Sequence, residues 1–590
     1  MSITRDPAGA AEPVETLVGL ATLTHTRVVR SRLVRASLIA LVALLCAAPL
    51  AAESAERAPG KAAIASAHPL ASQAGLDILA QGGNAFDAAI AVAAALAVVE
   101  PSGSGLGGGG FILIHRASDG LNSMIDAREK APAASTRDMF LDDKGVPVPR
   151  LSVDSALAAG IPGEPAGLGV LASKYGRLPI KTSLAPAIRL ARNGFPLYER
   201  LQEGIRGKQA ALKRSPDAAR IFLNHGEVPA LGYVIRQPDL ARTLELLADK
   251  GVDAFYKGPF ARKLADSVHK LGGIWTEQDL TDYRAVEREP VVGTYHGARI
   301  ISSSPPASGG IALVDALNIL EAYDFKSLDA VTRVHLVVEA MRRMHRDRAI
   351  YLGDPDFVSI PVDRLTSKFY ADGQRTALRL DRATPSESLP SDAINATQGM
   401  HTTHYSIIDR DGNRVATTIT LNLWMGTGIV VPGTGLLLNN QMDDFSIKAG
   451  TPNAYQLIGA AANAIAPGKR PLSSSSPTFV ESDRGVMIAG SPGGSYIIGM
   501  VLLATLDFVA GKSATEIVSA PRFHHQYFPD VLTYEPGAFT AEQVKALADR
   551  GHKLREGRRW GNLQVVTWDY ATNEVQAASD PRGEGKGLVY

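Results

Sequence analysis

In the stretch QGMHTTHYSIIDRDGN, residues 398–413, Thr402, Thr403 and His404 stand at the mouth of a β-hairpin pattern. A threonine hydroxyl is a poor nucleophile at neutral pH and attacks an acyl carbon only with a base beside it. The turn decides what stands opposite. In DRDGN (409–413) Asp409 can bond its own turn backbone, and Asp411-Gly412 suits a type I turn with Gly412 in a left-handed bulge position. This makes a three-residue loop, 410–412, with 409 facing 413, so paired positions sum to 409 + 413 = 822. Thr402 then falls opposite Thr420, and Asn422 lies one pleat further on the same face. Opposed side chains sit about 5 Å apart at Cβ, so the register alone predicts a Thr402–Thr420 hydrogen bond. A loop one residue shorter would slide the pairing and break it. Thr402 by itself is an ordinary β-branched strand residue; its company gives it chemical weight.

The rest of the chain supplies the elements that must hold this pair. Residues 67–101 read as two helices, the first ending at Gly82-Gly83 and the second, from Ala85, apolar nearly all round and therefore buried. SGSGLGGGGFILIH (102–115) is a glycine loop entering a strand. A phosphate cradle would need a following Lys-Ser/Thr or a G-x-G-x-x-G turn into a helix, and neither is present; close backbone packing explains the four glycines better. Alternation at 296–303 and 403–421 predicts further strands, and 163–175, 237–250, 259–271, 308–322 and 330–351 read as helices. With no internal repeat and no long low-complexity linker, one intertwined α/β unit is expected, although the pattern is not a clean βαβ alternation.

The 590 residues carry 61 Lys+Arg and 60 Asp+Glu, a net charge of +1, with no long basic or acidic run beyond an N-terminal arginine cluster. No nucleic-acid footprint follows from such a balance. At the N-terminus Arg27, Arg30, Arg32 and Arg35 precede ASLIALVALLCAAPLAA (36–52) and a polar ESAERAPGK. A positive flank, a short apolar core and small residues make a secretory signal over residues 1–52, with a periplasmic or secreted mature protein and no stable membrane insertion. An uncleaved anchor is the alternative, although a spanning helix needs about 20 apolar residues. Cys46 is the only cysteine and falls inside the signal. The mature chain then has no thiol, which suits an oxidising compartment and excludes cysteine nucleophiles and thiolate metal sites.

TTHYSIIDRDGNRVATTITLN, GLLLNNQMDDFS, KRPLSSSSPTF and GSPGGS, in that order, resemble small-subunit motifs of the γ-glutamyltransferase (γ-glutamyltranspeptidase) family of N-terminal nucleophile hydrolases. HPLASQAGLDILAQGGNAFDAA, GLGGGGFILI, IDAREKAP and YLGDPDFVSIPV resemble its large-subunit motifs, so the resemblance runs from about residue 62 to the C-terminus. It implies an α+β fold, the four-layer αββα sandwich of this hydrolase class. It also implies autocleavage of the His401–Thr402 bond into a large subunit, 53–401, and a small one, 402–590, of 590 − 402 + 1 = 189 residues. Cleavage would give Thr402 a free α-amine, whose reference pKa of about 7.7–8.0 suits a general base at operating pH.

By the same resemblance Thr420 orients and polarises the Thr402 hydroxyl, while His404 is expected to be packed or hydrogen-bonded rather than catalytic. The substrate is expected to be a γ-glutamyl compound such as glutathione, with water or the amine of an amino acid or peptide as acceptor. Asn422, Gln441 and Asp444 would hold the glutamyl ammonium, and Arg128, Ser473 and Ser474 its carboxylate. Each has a plainer reading: Asp444 a turn residue with Asp443 as its exposed twin, Arg128 a surface ion pair with Glu129, the four serines at 473–476 a polar loop. Backbone N–H groups of Gly493 and Gly494 in SPGGS would form the oxyanion hole. Residues 446–468 resemble a lid loop carrying Tyr455, and Trp424 and Met425 are placed beside the pocket wall. No metal or organic cofactor is implied. Two alternatives stand: a glutaryl or cephalosporin acylase of the same fold, whose substrates lack the α-ammonium, and an exported binding protein that never matures.

Overall fold

The Asp409 turn closes as its sequence requires. In the computed structural model Asp409 N–H donates to Asn413 O (3.0 Å), Gly412 N–H donates to Asp409 O (3.1 Å), and Gly412 takes φ +91°. Asp409 Oδ1 accepts the N–H groups of Asp411 and Asn413, and Oδ2 reaches Ala85 N–H at 2.8 Å, tying the hairpin to the start of the buried helix. The described residues are 57–389, 402–448, 453–454 and 460–590. His401, Tyr455 and the signal-like segment lie outside them.

Thirteen strands make two sheets: β1 (Ala63–Ser66), β2 (Gly109–Arg116), β3 (Leu121–Ala127), β4 (Val286–Arg288), β5 (Val291–Tyr295), β6 (Ala298–Ser302), β7 (Thr403–Ile408), β8 (Arg414–Thr420), β9 (Thr478–Ser482), β10 (Gly485–Gly490), β11 (Gln564–Asp569), β12 (Val575–Ser579) and β13 (Lys586–Val589). The first sheet runs β13-β1-β7-β8-β2-β3-β4 and the second β12-β11-β10-β9-β6-β5. Both therefore mix strands from before and after residue 402. Pairs such as Arg414↔Ile408 and Ile419↔Thr403 keep the sum of 822, so the hairpin has the expected register.

Period-two alternation buries both faces of each sheet. Phe111, Leu113, Ile408 and Ala416 of the first sheet meet Ile301, Phe479, Ile488 and Val566 of the second in one inner core. Ile112, Ile114, Ile407 and Val415 point the other way, onto α1 (Pro69–Ala80), α2 (Ala85–Val99), α3 (Ile180–Asn193) and α4 (Pro238–Lys250). The outer face of the second sheet packs α5 (Gly309–Leu320), α6 (Ala330–Tyr351) and α7 (Tyr496–Val509). The layers are αββα. Every residue of α2 is buried, as its all-round apolar sequence predicts, and its amide end is closed by an Asn84–Asp87 capping box. The helices expected at 163–175, 237–250, 259–271, 308–322 and 330–351 are present; the first passes into a π turn at Leu171–Tyr175.

The four glycines at 107–110 are there for backbone contact. A Cβ on Gly107 would lie 2.1 Å from Leu437 O, on Gly108 2.0 Å from Thr420 O, and on Gly109 2.2 Å from Ala127 O. They let β2 and its entry loop press against the end of β8, where Thr420 sits, against β3 and against the Leu437 backbone. Among the described residues, no helix is long and apolar enough to cross a membrane.

Candidate active site

Thr402 lies immediately before β7, one strand in from β1 and beside β8, and is 6% exposed. Its Oγ1 is 3.2 Å from Thr420 Oγ1, the contact the register predicted. Thr420 Oγ1 also accepts the Asn422 N–H at 2.8 Å, which fixes that oxygen beside Thr402. Alternation along β7 turns Thr402 and His404 toward the second sheet and Thr403 toward α2. His404 is fully buried, bonded to Thr418 Oγ1 (2.8 Å) and Ser406 Oγ (3.2 Å), and burial pushes it down to about 3. It is a neutral packing residue.

A narrow cleft opens over the two threonines. Its walls include Arg128, Asn422, Gln441, Asp444, Ser473, Ser474 and Gly494. The chain thus brings together residues that lie as far apart in sequence as 128 and 494. Gly493 lines an adjoining chamber instead. Tyr455 and His401 fall outside the described residues.

The charges are arranged as two opposed grips. Arg128, 1% exposed, donates from Nη2 to Asp444 Oδ2 at 2.5 Å and from Nε to Pro471 O at 3.1 Å. Glu129, also buried, stands 3.6 Å from its Nη1, so the pair is interior rather than on the surface. Gln441 Nε2 donates to Asp444 Oδ2 at 2.7 Å. Ser474 Oγ and Gln441 Oε1 are buried with no hydrogen-bond partner among the described residues. Buried polar atoms left unmatched in a cleft wall favour a polar ligand. Ser473 Oγ bonds Ser475 Oγ at 3.0 Å, while its carbonyl accepts from Ser308 Oγ at 2.6 Å. The serine run is a held wall, not a surface loop. Opposite charges paired across the cleft wall, as Arg128 and Asp444 are, have the chemistry to meet the two ends of a zwitterion.

The Gly493 and Gly494 N–H groups donate no hydrogen bond within the described residues, and both glycines have positive φ, +142° and +56°. Two free donors at the entry to α7 are what a developing oxyanion needs.

Asp443 is not the exposed twin that its position suggested. It is 2% exposed, accepts from Ser152 Oγ (2.7 Å) and Ala454 N–H (2.9 Å), and is pushed up by burial to about 6. The 3₁₀ turn Gln441–Asp444 aims consecutive carboxylates in different directions. Met425, expected beside the pocket, turns into the large core instead. Two neighbours of the threonines carry no sequence signal. Arg348, near the end of α6, lines the cleft and donates from Nε to Ser308 Oγ at 3.0 Å; burial first, and then Arg128, lowers it to about 10 against the pull of Asp444. Glu100, which ends α2, accepts from Thr403 Oγ1 at 2.5 Å, and burial raises it to about 7.

The family model for γ-glutamyltranspeptidase matches residues 71–590. A glutathione hydrolase proenzyme of Escherichia coli K12 is 44% identical over 525 residues, covering 88% of this chain and 90% of that protein. Among solved structures, a cephalosporin acylase from Bacillus halodurans superposes with a TM-score of 0.78 at 28% identity, over 92% of this chain and 98% of its own. The γ-glutamyltranspeptidase of Helicobacter pylori superposes with a TM-score of 0.54 at 41% identity, over 57% of this chain and 96% of its own. With a family model spanning nearly all of the described fold and relatives of this identity, the chain belongs to the γ-glutamyltranspeptidase family.

Proposed function

We propose that the protein is a self-processing γ-glutamyl hydrolase and transferase that acts on glutathione and related γ-glutamyl amides through an acyl-threonine at Thr402. The observation that carries this reading is the Thr402–Thr420 hydroxyl pair on the floor of a cleft whose walls hold Arg128 and Asp444. Breaking the 401–402 bond makes Thr402 a chain terminus with its hydroxyl and amine on adjacent carbons. The amine takes the hydroxyl proton as the oxygen attacks the γ-carbonyl carbon. Thr420 steadies the oxygen, and the Gly493 and Gly494 N–H groups receive the carbonyl oxygen as it becomes negative. The C–N bond breaks and the proton passes to the departing amine. Water or a second amine then attacks the ester carbon, and the proton returns to Thr402 Oγ1. Typical oxyanion donors contribute about 10²–10³ in rate each.

Glutamyl recognition follows from charge. Asp444, with Gln441 and Asn422, takes the α-ammonium; Arg128, with Ser473 and Ser474, takes the α-carboxylate, which a guanidinium can bind through two parallel bonds. The lid carrying Tyr455 would cover the bound head and keep water from the acyl-enzyme. The signal-like N-terminus supports export, with maturation into subunits 53–401 and 402–590. The structural likeness to a cephalosporin acylase favours a second reading, an acylase for glutaryl side chains. A glutaryl group has no ammonium to meet Asp444, so the glutamyl reading accounts for more of the cleft.

On a denaturing gel the purified protein should show two bands, with the small one beginning at Thr402 by N-terminal sequencing. Thr402→Ala should remain one chain and turn over no γ-glutamyl-p-nitroanilide. A break at another bond, or full activity from the uncut chain, would overturn the mechanism.

A further inference from the structure

Seven arginines are buried among the described residues, and six of them are answered by an acid. Arg128 meets Asp444, Arg342 and Arg343 meet Glu339, Arg414 meets Glu481, Arg470 meets Asp126 and Arg522 meets Asp580, each with a carboxylate oxygen within 3.4 Å. Arg348, 5% exposed, is the exception. Among the described residues it forms no ion pair, and the one hydrogen bond of its guanidinium runs from Nε to Ser308 Oγ at 3.0 Å. The stretch 446–468, which meets its helix where Ala460 N–H donates to Ala349 O at 3.2 Å, contains no Asp or Glu. Burial lowers Arg348 only to about 10, so it stays a cation at neutral pH.

An interior cation without a counter-charge is costly. Arg348 is not sealed in the core, however. It lines the cleft over the two threonines, and neither Nη group has a partner among the described residues. Its place in the wall is fixed from behind. Ser308 Oγ, which accepts from Arg348, donates in turn to Ser473 O at 2.6 Å, and Ser308 N–H reaches the same carbonyl at 2.8 Å. The guanidinium thus stands against the serine wall, with its unmatched donors left to the cleft. Arg128, by comparison, is already bonded through Nε to Pro471 O and through Nη2 to Asp444 and Leu472 O.

We propose that Arg348 is a second guanidinium for the α-carboxylate of the γ-glutamyl head, binding it through the Nη groups from the serine side and receiving from it the counter-charge that no acid of the described chain supplies. The inference rests on the reading of the cleft given above. A carboxylate offers about four lone-pair sites on its two oxygens, so two guanidinia can share it. Arg128 then need not release Asp444 to take part, and Asp444 stays in place for the ammonium. The selectivity that follows is for a free α-carboxylate, because an α-amide gives Arg348 no charge to meet.

The test compares L-glutamate with its α-amide as competitive inhibitors of γ-glutamyl-p-nitroanilide turnover. The two ligands differ only at the α-carboxyl group, and the wild type should bind the acid more tightly. Arg348→Met and Arg348→Gln both remove the charge, and neither strands an acid, so both should mature. Hydrogen bonds to a charged group contribute about 10- to 150-fold in binding, and the ratio of inhibition constants, amide over acid, should fall by about that factor. Taking the ratio cancels any loosening of the wall that weakens both ligands alike. A ratio that holds to within about twofold in a matured variant overturns the proposal. Failure of both variants to mature does so too, because it would make Arg348 a residue of the fold. Equal inhibition constants in the wild type would sink the glutamyl reading itself, and this inference with it.

Discussion

Replacing Asp444 with asparagine tests the two-grip cleft with a single carboxylate. Asp444 Oδ2 receives Arg128 Nη2 at 2.5 Å and Gln441 Nε2 at 2.7 Å, and its side chain is 11% exposed. A bound glutamyl ammonium would meet that carboxylate directly. Hydrogen bonds to charged groups contribute about 1.5–3 kcal/mol, so Asp444→Asn should lower kcat/KM for γ-glutamyl-p-nitroanilide by about 10- to 150-fold. A glutaryl analogue makes no ammonium contact and escapes this loss. The quantity to measure is therefore the ratio of kcat/KM for the glutamyl and glutaryl p-nitroanilides, which should fall by about one to two orders of magnitude. Arg128 keeps its bonds to Pro471 O and Leu472 O, and the asparagine amide oxygen can still accept from it, so the chain should still mature. Cleavage into two subunits, read on a gel, confirms that the fold survived. If the matured variant holds the ratio to within about twofold, the ordinary limit of independent effects, Asp444 does not bind the ammonium and the charge argument fails.

Thr420→Val removes the 3.2 Å hydroxyl contact with Thr402 and should lower kcat by about 10²-fold, with Thr420→Ser restoring most of it; a change confined to KM would contradict an orienting role. Gly108→Ala would put a Cβ 2.0 Å from Thr420 O, and overpacking of this kind costs about 1–3 kcal/mol, so thermal unfolding should move down and maturation slow; an unshifted melting temperature would refute the contact argument. Burial raises Glu100 from 4.5 to about 7, so the folded chain keeps a proton that the unfolded chain releases. Its contribution to stability falls as pH rises through that window and stays lost above it. Glu100→Gln should therefore gain on the wild type as pH increases, by up to about 3 kcal/mol; parallel stability curves would show that Glu100 does not titrate there.

Local chemistry made some features legible from the sequence. DRDGN specifies its own turn through Asp409 and Gly412, and because side chains alternate with period two, one turn fixes which residues oppose each other for the length of the hairpin. That is why Thr420 could be named as the partner of Thr402. The all-apolar 85–99 helix announced its own burial, and the glycines of 107–110 their close packing. By contrast, β1 and β13 are four residues each and pair with strands far along the chain, and the β9–β10 and β11–β12 hairpins join their sheet only through distant partners, β9 to β6 and β10 to β11. β1, for example, pairs with β7 and β13, whose positions no local pattern reveals.

The chain alone determined the Thr402–Thr420 pairing, the set of charged residues that meet in the cleft and the layer type, because turn geometry, side-chain chemistry and motif resemblance all act at short range or residue by residue. Only the tertiary structure decided which of several arginines on α6 reaches the cleft. Arg343 is taken by Glu339 and Arg346 by Asp347 within the helix, and Arg342 by Glu339 and by Asp530 from beyond it, whereas Arg348 is turned to Ser308 and the site. It also decided that Asp443 is buried while Asp444 faces Arg128, and that Trp424 lines the adjoining chamber with Gly493. These outcomes depend on distances between residues hundreds of positions apart. Such distances follow from the packing of four layers against one another, and no periodicity in a single stretch of chain carries them.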